Sequence, residues 1–434
     1  MTKPRYQLGC SARSKACGLA DASDPEVNAW NLNLNNGNSN LNNQNNKGLP
    51  LAVRGPVSVP GEYQGAGLFE ALWQAWQQAR RQKCSHNQLA WEAHALDNLL
   101  DLERSILAGN WSSGPSLCFI AEQPKVREIH APEFGDRVVH HYAIPILEAV
   151  YEPFFIYDSY ANRVGKGTHA AVRRLTGFVH QVHSGQGHGF YLQLDIRNFF
   201  YSINRELLYA MLKASMVKAA VPLIVQHIVH ALLRRSPLHA GVRYRMTMAE
   251  RSRIPAHKRL ENAAPGCGLT IGNLSSQFFA NVYLNELDQF VKHVLHARRY
   301  LRYADDFILV HESREQLAHW KSEIERFLRE RLRLELKPEV KLQSLDAGID
   351  FLGYVVYPTH TRVRRRVVSH ARAALSSLGA GDGDASSKAL LAIEPVWRSY
   401  QGHFGHANSW RLQQGFLRQF PALAQLDGFA GETA

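Results

Sequence analysis

Arg299–Val310 reads RYLRYADDFILV, and this stretch decides the fold. Strand-forming residues run up to Tyr303, and Phe307-Ile308-Leu309-Val310 resume them after Ala304-Asp305-Asp306, so the spacing predicts a strand–turn–strand. Neighbouring side chains of a strand point to opposite faces. A tight hairpin still turns the backbone enough to bring both carboxylates toward one place. Acids set among apolar residues are costly unless a cation offsets them. A plain polar turn is the other reading, and the tetrapeptide alone does not choose between them.

A second acid adds to the case. Asp195, in Leu192–Ile203 (LQLDIRNFFYSI), ends the apolar strand Tyr191–Ile196. Asp195 and the Asp305-Asp306 pair then fit adjacent strands of one sheet. Three carboxylates suit Mg²⁺ or Mn²⁺, with phosphates and waters completing the coordination. Two such ions about 4 Å apart activate an attacking hydroxyl and stabilise a leaving pyrophosphate. Asp195 and Asp305 are the candidates to bridge both ions, and Asp306 supports from the side. Of Phe199 and Phe200, one packs in the core and the other is a candidate to lie beneath an incoming sugar. Lys125 and Arg127 are candidate phosphate ligands, since an arginine fork matches phosphate oxygens; a solvated surface pair is the plainer reading.

Outward from these strands the chain alternates helix and strand. Helical spacing starts near Gly67, with Leu68, Leu72, Trp76 and Ala79 on one side, and a second helix is expected over Leu89–Leu107. Phe119–His130 alternates like a hairpin around Gln123-Pro124. Helices are expected over Asp136–Tyr151, where Pro145 kinks the helix or opens a new one, and over Ala170–His183. They are also expected in segments as far as Leu233, over Ser275–Leu295 and over Arg314–Leu332. Gly268–Gly272 is read as a turn. Strands are expected over Ile349–Val356 and Thr361–Val367, then a linker over Gly379–Ala385 and a helical end. The expected class is α+β, an antiparallel sheet with helices on one face.

The 434 residues are 45% hydrophobic, enough for a substantial core, with no apolar run that would span a membrane. The start, MTKPRYQLGCSARSKACG, has no apolar signal core, so a cytoplasmic protein is expected. Cys10, Cys17, Cys84, Cys118 and Cys267 form no CxxC pair, which argues against a zinc ribbon or finger and for reduced thiols. Lys and Arg number 50 against 38 acids, a net charge of +12 that suits a polyanionic partner. Residues 1–60 differ in kind: Asn28–Asn46 holds eleven asparagines in nineteen positions, the composition of a disordered extension.

Taken together, these segments resemble reverse transcriptases, in particular the bacterial branch that includes the enzymes of diversity-generating retroelements. The resemblance covers nearly all of residues 67–415. It implies a right-hand polymerase fold with fingers at 61–190, a palm at 191–355 that includes finger-side helices near 205–265, and a helical thumb at 356–434. LDIRNFFYSI matches the first metal-binding motif, so Asp195 and the adjacent Ile196 are metal positions and Phe200 discriminates the sugar. Tyr303-Ala304-Asp305-Asp306 matches the second hallmark. Lys125 and Arg127 in QPKVREI match the triphosphate contacts of the fingers. Asp136–His141, Asp158–Arg163 and Gly165–Thr168 look like shared finger segments, with Arg163 and Lys166 touching template or nucleotide. Lys341 matches a lysine that protonates pyrophosphate, and Phe351-Leu352-Gly353 looks like the primer grip. Arg362, Arg364, Arg365 and Arg366 form a basic stripe for a duplex backbone. Trp397–Trp410 resembles the thumb signature, in which His403 and His406 are structural.

One departure stands out. Many reverse transcriptases read Pro-Gln-Gly where this chain has Thr270-Ile271-Gly272, followed by Asn273–Gln277. Ile271 offers no amide to position a base, so together with Gly272 and Gln277 it points to a permissive nucleotide pocket and errors opposite template adenine. The resemblance thus implies synthesis of cDNA from a retroelement RNA, with two Mg²⁺ or Mn²⁺ ions, dNTP substrates, template RNA and nascent cDNA as partners. A basic, helical, oligomeric accessory protein is a further expected partner, and no membrane is involved. In that setting the asparagine tract also reads as retroelement repeat sequence, since asparagine codons are rich in adenine. An antiphage defence reverse transcriptase with its own non-coding RNA has the same chemistry and is the alternative. An inactive RNA-binding scaffold disagrees with the retained acids, and a group II intron maturase with the lack of an evident maturase or nuclease extension.

Overall fold

The computed structural model describes residues 66–81, 85–122, 125–380 and 387–428. The asparagine tract, the Gln123-Pro124 tip and most of the Gly379–Ala385 linker lie outside the described residues. The first helix, Ala66–Ala79, buries Leu68, Leu72, Trp76 and Ala79, the face its spacing predicts. The single helix expected over Leu89–Leu107 is two, His86–Glu92 and Ala95–Leu107. His94, at φ −124°, ψ 35°, interrupts the helical backbone between them.

Strands β1 (Ser116–Ala121) and β2 (Arg127–Ala131) form the expected antiparallel hairpin. The helix Phe134–Tyr151 passes through Pro145 as one element. The helix Thr168–Gln186 ends on left-handed Gly187 and leads into β3 (Phe190–Asp195). Three helices follow, Phe199–Ser202, Arg205–Lys218 and Leu223–Arg234. The short β4 (Val242–Tyr244) then joins β1 in parallel. The helix Leu274–Gln289 runs into a π-helical turn, Phe290–Val294. Beyond it come β5 (Tyr300–Tyr303), β6 (Asp306–His311), the helix Arg314–Leu332 and β7 (Lys341–Ser344). Strands β8 (Ile349–Phe351), β9 (Tyr354–Val356) and β10 (Thr361–Val363) form a small meander. The second of the two expected strands stops at Val363. Arg365–Ser377 is helical, followed by helices Ser387–Phe404, Trp410–Gln419 and Ala422–Gly428.

The class is α+β, as expected. The central antiparallel sheet has the order β5-β6-β3-β7. Helices were expected on one face only, yet both faces are covered. Leu192, Leu194, Phe307 and Leu309 join a core with the helices Leu274–Gln289 and Arg314–Leu332. Tyr191, Leu301, Ile308 and Val310 join another with the helix Thr168–Gln186 and with Phe351 and Tyr354. Burial on both sides is why β6 reads as an unbroken apolar run rather than an alternating one. A third core, around Trp397, Phe404 and Phe416, belongs to the C-terminal helices. None of the described helices is long and apolar enough to cross a membrane.

Candidate active site

Register brings the acids together. Asp195 pairs directly with Asp306, and Tyr303 pairs with Asp306 across the β5–β6 hairpin, which leaves Ala304-Asp305 as a two-residue turn. Residues directly opposite in an antiparallel pair share a face, so Asp195 and Asp306 lie side by side. Ala304 carries the turn with a φ of 54°. Beneath it, fully buried Arg302 donates to the Ala304 carbonyl at 3.0 Å and holds Asp288 at 2.6 Å, with Tyr300 on the same carboxylate at 2.7 Å. The hairpin tip is therefore fixed from inside the protein.

All three carboxylates are partly open to solvent but crowded by protein. Burial, then Asp195 beside it, pushes the Asp305 carboxyl up to about 6. Burial pushes Asp306 up to about 7 against the Gln193 amide, with Asp195 and Asp305 adding to the rise. The Gln193 amide donates to the Asp306 oxygens at 3.2 and 3.3 Å and to the Asp350 carbonyl at 3.2 Å. Lys341 pairs with Gln193 in the sheet, and its ammonium reaches Gln193 Oε1 at 3.4 Å. Lys337 donates to Asp195 Oδ2, while Asp195 Oδ1 is buried with no hydrogen-bond partner. Neighbouring carboxylates that push one another's protonation up, one of them with an orphaned oxygen, fit divalent cations. Asp195, Asp305 and Asp306 are the residues that would hold them. Ile196 is fully buried behind Asp195, in a bridge to Leu336.

The β1–β2 hairpin faces this cluster. Lys125 is lowered by burial and by the nearby cations Lys337 and Arg127, and it feels the charge of Asp195; Arg127 in turn acts on Asp305. Phe199 is buried, whereas Phe200 is partly buried where the main core meets a small cluster of Phe119, Ala121, Ile129 and Ile271. The Ile271 carbonyl accepts the His130 N–H at 2.8 Å. Gly272, at φ 126°, lies so close that a Cβ there would meet the His130 carbonyl at 2.9 Å. Gln277 sits half-buried in the first turn of the helix Leu274–Gln289. Leu352 and Gly353 turn β8 into β9 with φ of 50° and 90°. Tyr303 is half-buried and accepts from the Thr168 hydroxyl at 3.4 Å.

Other expected contacts are engaged within the protein. Arg163 holds Glu152 at 2.8 Å and donates to the Ile156 and Ser159 carbonyls at 2.7 and 2.8 Å, so its guanidinium does not face outward to a template. Lys166 donates to the Tyr157 carbonyl at 2.9 Å and lies over the Tyr157 ring. The basic stripe is a strand end and a helix start rather than one strand. Arg362 lies on β10 over Tyr357, Arg364 caps the helix and pairs with Asp350 at 3.0 Å, and Arg365 and Arg366 open its first turn. Gln193 and Lys337 were not anticipated. Lys337 and Lys341 stand in one short segment, KPEVK, and only the sheet register tells their targets apart.

An acid closing one strand beside an Asp-Asp turn on the next, under a basic hairpin, is the arrangement the resemblance implies. The family model described as "Reverse transcriptase (RNA-dependent DNA polymerase)" matches residues 121–356, more than half of the chain, and the chain belongs to that family. The group II intron-encoded protein LtrA of Lactococcus lactis is 24% identical over 277 residues, 56% of this chain and 45% of that protein. A 91 kDa protein in the cob intron of Schizosaccharomyces pombe is 27% identical over 164 residues, 37% of this chain and 16% of that protein. The chain thus spans less than half the length of these curated relatives. Among solved structures, apo telomerase of Candida tropicalis aligns with a TM-score of 0.42 at 11% identity, over 62% of this chain and 60% of that one.

Proposed function

We propose that this chain copies RNA into DNA by divalent-metal nucleotidyl transfer, and that it does so permissively opposite adenine, as in a mutagenic retroelement. The meeting of Asp195, Asp305 and Asp306 at one sheet end is the observation that carries this reading. When bound, two Mg²⁺ or Mn²⁺ ions would activate a primer hydroxyl and neutralise the leaving pyrophosphate. The three acids hold that charge in place, and Arg302 keeps their turn rigid. Lys125 and Arg127 grip the triphosphate of a dNTP, Phe200 lies along its sugar, and Lys341 supplies a proton to the departing oxygen. Ile271 packs its side chain among apolar neighbours, so the pocket gains no amide hydrogen bond for the base. Leu352 and Gly353 hold the primer, and Arg362, Arg364, Arg365 and Arg366 line the duplex path. Arg365 and Arg366 in the first turn sit against the helix dipole, a cost that a polyanion alongside would offset. In this reading residues 61–190, 191–355 and 356–434 serve as fingers, palm and thumb. An intron-encoded role is the second reading, favoured by the match to LtrA.

The test is primer extension on an annealed RNA template with dNTPs and Mg²⁺ or Mn²⁺, followed by sequencing of the product. Extension that Asp195→Ala and Asp305→Ala abolish while RNA binding persists supports the polymerase reading. Folded protein that binds its native RNA and extends no primer with either ion refutes it. Substitutions concentrated opposite adenine support the mutagenic reading, and faithful copying there overturns it. The sequence of the RNA that co-purifies with the protein separates an intron from a retroelement transcript.

A further inference from the structure

Away from the acids, the β1–β2 hairpin builds a second buried cluster. Cys118 and His130 are direct cross-strand partners, and Glu128 precedes His130 by two, so the three share one face of the hairpin. The opposite face, with Phe119 and Ile129, packs on Ile271. Cys118, Glu128 and His130 are 0%, 3% and 2% exposed. Cys118 Sγ lies 3.7 Å from His130 Nε2, and His130 Nε2 lies 3.4 Å from Glu128 Oε1. The ligand atoms of all three lie within 4.8 Å of one another.

We propose that Cys118, Glu128 and His130 form a structural zinc site that clamps the hairpin. The spacing is the first reason. An imidazole–carboxylate hydrogen bond is normally about 2.7–3.2 Å long, so 3.4 Å is long for a direct bond between the two. Tetrahedral zinc, at about 2.0–2.3 Å from its ligands, sets them roughly 3.3–3.6 Å apart, near the two separations observed. Charge is the second reason. A thiolate and a carboxylate together neutralise a divalent ion, which removes the penalty of burying either alone. The third reason is the tautomer. The Ser116 hydroxyl lies 3.1 Å from His130 Nδ1, so it can accept an Nδ1–H and leave Nε2 to ligate. A fourth donor is available in Tyr201, whose buried hydroxyl has no hydrogen-bond partner and feels the charge of Glu128.

Burial holds the Cys118 thiol up at about 12, so without metal it keeps its proton. Zinc binding forms the metal–sulfur bond, breaks the S–H bond and releases that proton to solvent. The clamp acts on the fingertip. Glu128 also accepts the Leu260 N–H, and the His130 N–H bonds Ile271, so the ion would tie β2, and with it Arg127, to both flanking segments.

The experiment uses the full chain with Cys10, Cys17, Cys84 and Cys267 changed to serine, so that any thiolate ligand is Cys118. Metal analysis after desalting should find about one zinc per chain, and Co²⁺ substitution should give a sulfur-to-cobalt charge-transfer band. His130→Ala and Cys118→Ser should each remove the stoichiometric metal, whereas Asp305→Asn should retain it. Folded protein that neither retains zinc nor gives a cobalt–thiolate band overturns the site. So does zinc that persists at full occupancy in Cys118→Ser and His130→Ala.

Discussion

Lys337 occupies one oxygen of Asp195 and leaves the other unpartnered. A divalent ion must compete with that ammonium, and both side chains are about a third exposed, at 35% and 34%. An ion pair this open contributes about 0.5–1 kcal/mol, so Lys337→Met should tighten Mn²⁺ binding by roughly two- to five-fold. Calorimetric titration of the nucleotide-free protein measures it; unchanged or weaker binding would mean the lysine does not compete. At this scale the nearness of the three acids was legible only from Asp195 and the pair together, because Asp305-Asp306 alone also reads as a plain polar turn. Lys337 was not, since the choice between it and Lys341 depends on which residue faces Gln193 and which faces Asp195. Cys118, Glu128 and His130 were illegible for the same reason: they sit ten and two residues apart, and only strand pairing makes them neighbours.

The β5–β6 hairpin owes its shape to an ion pair that no short motif reveals. Arg302 and Asp288 are both fully buried, and Arg302 also donates to the Ala304 carbonyl and to Asn281. Removing one partner leaves a buried charge uncompensated, so Arg302→Met should cost about 3–5 kcal/mol of stability, read by denaturant unfolding. Ala304 sits at a φ of 54°, a region a side chain enters at a cost of roughly 1–2 kcal/mol. Ala304→Gly should therefore raise the unfolding free energy by about 1 kcal/mol, and a loss of stability would contradict the strain. Long periodic elements such as Arg314–Leu332 were legible to the residue. The strands β4 and β7 were not, because Val-Arg-Tyr and Lys-Leu-Gln-Ser are too short to show a hydrophobic period, with one aliphatic residue each. The helix that starts at Arg365 was masked by a run of basic residues continuous with β10.

The C-terminal helices have their own core and meet the central body through a cluster of histidines. His169 stacks on His406 at 3.8 Å, and its Nδ1–H donates to the Tyr354 hydroxyl 3.1 Å away, whose own proton goes to the His403 carbonyl at 2.8 Å while the Tyr354 ring stacks on His403. Burial, with the neighbouring histidines, pushes His169 and His403 down to about 4 from an ordinary 6.5. A depressed histidine gives stability that is full above the unfolded value and lost as pH falls through the folded one, because the unfolded chain binds more protons. The thermal midpoint of the wild type should thus fall relative to that of His169→Gln between pH 6.5 and pH 4. The α+β class was visible in the order of elements, but this joint was not, since its residues come from three distant segments. Over the whole molecule the decisive claim is that Asp195, Asp305 and Asp306 form one cation site. Anomalous diffraction from crystals soaked in Mn²⁺ and a non-extendable nucleotide tests it directly. The account predicts manganese between the three carboxylates, absent in Asp195→Ala; manganese bound only elsewhere in well-ordered wild-type crystals would contradict it.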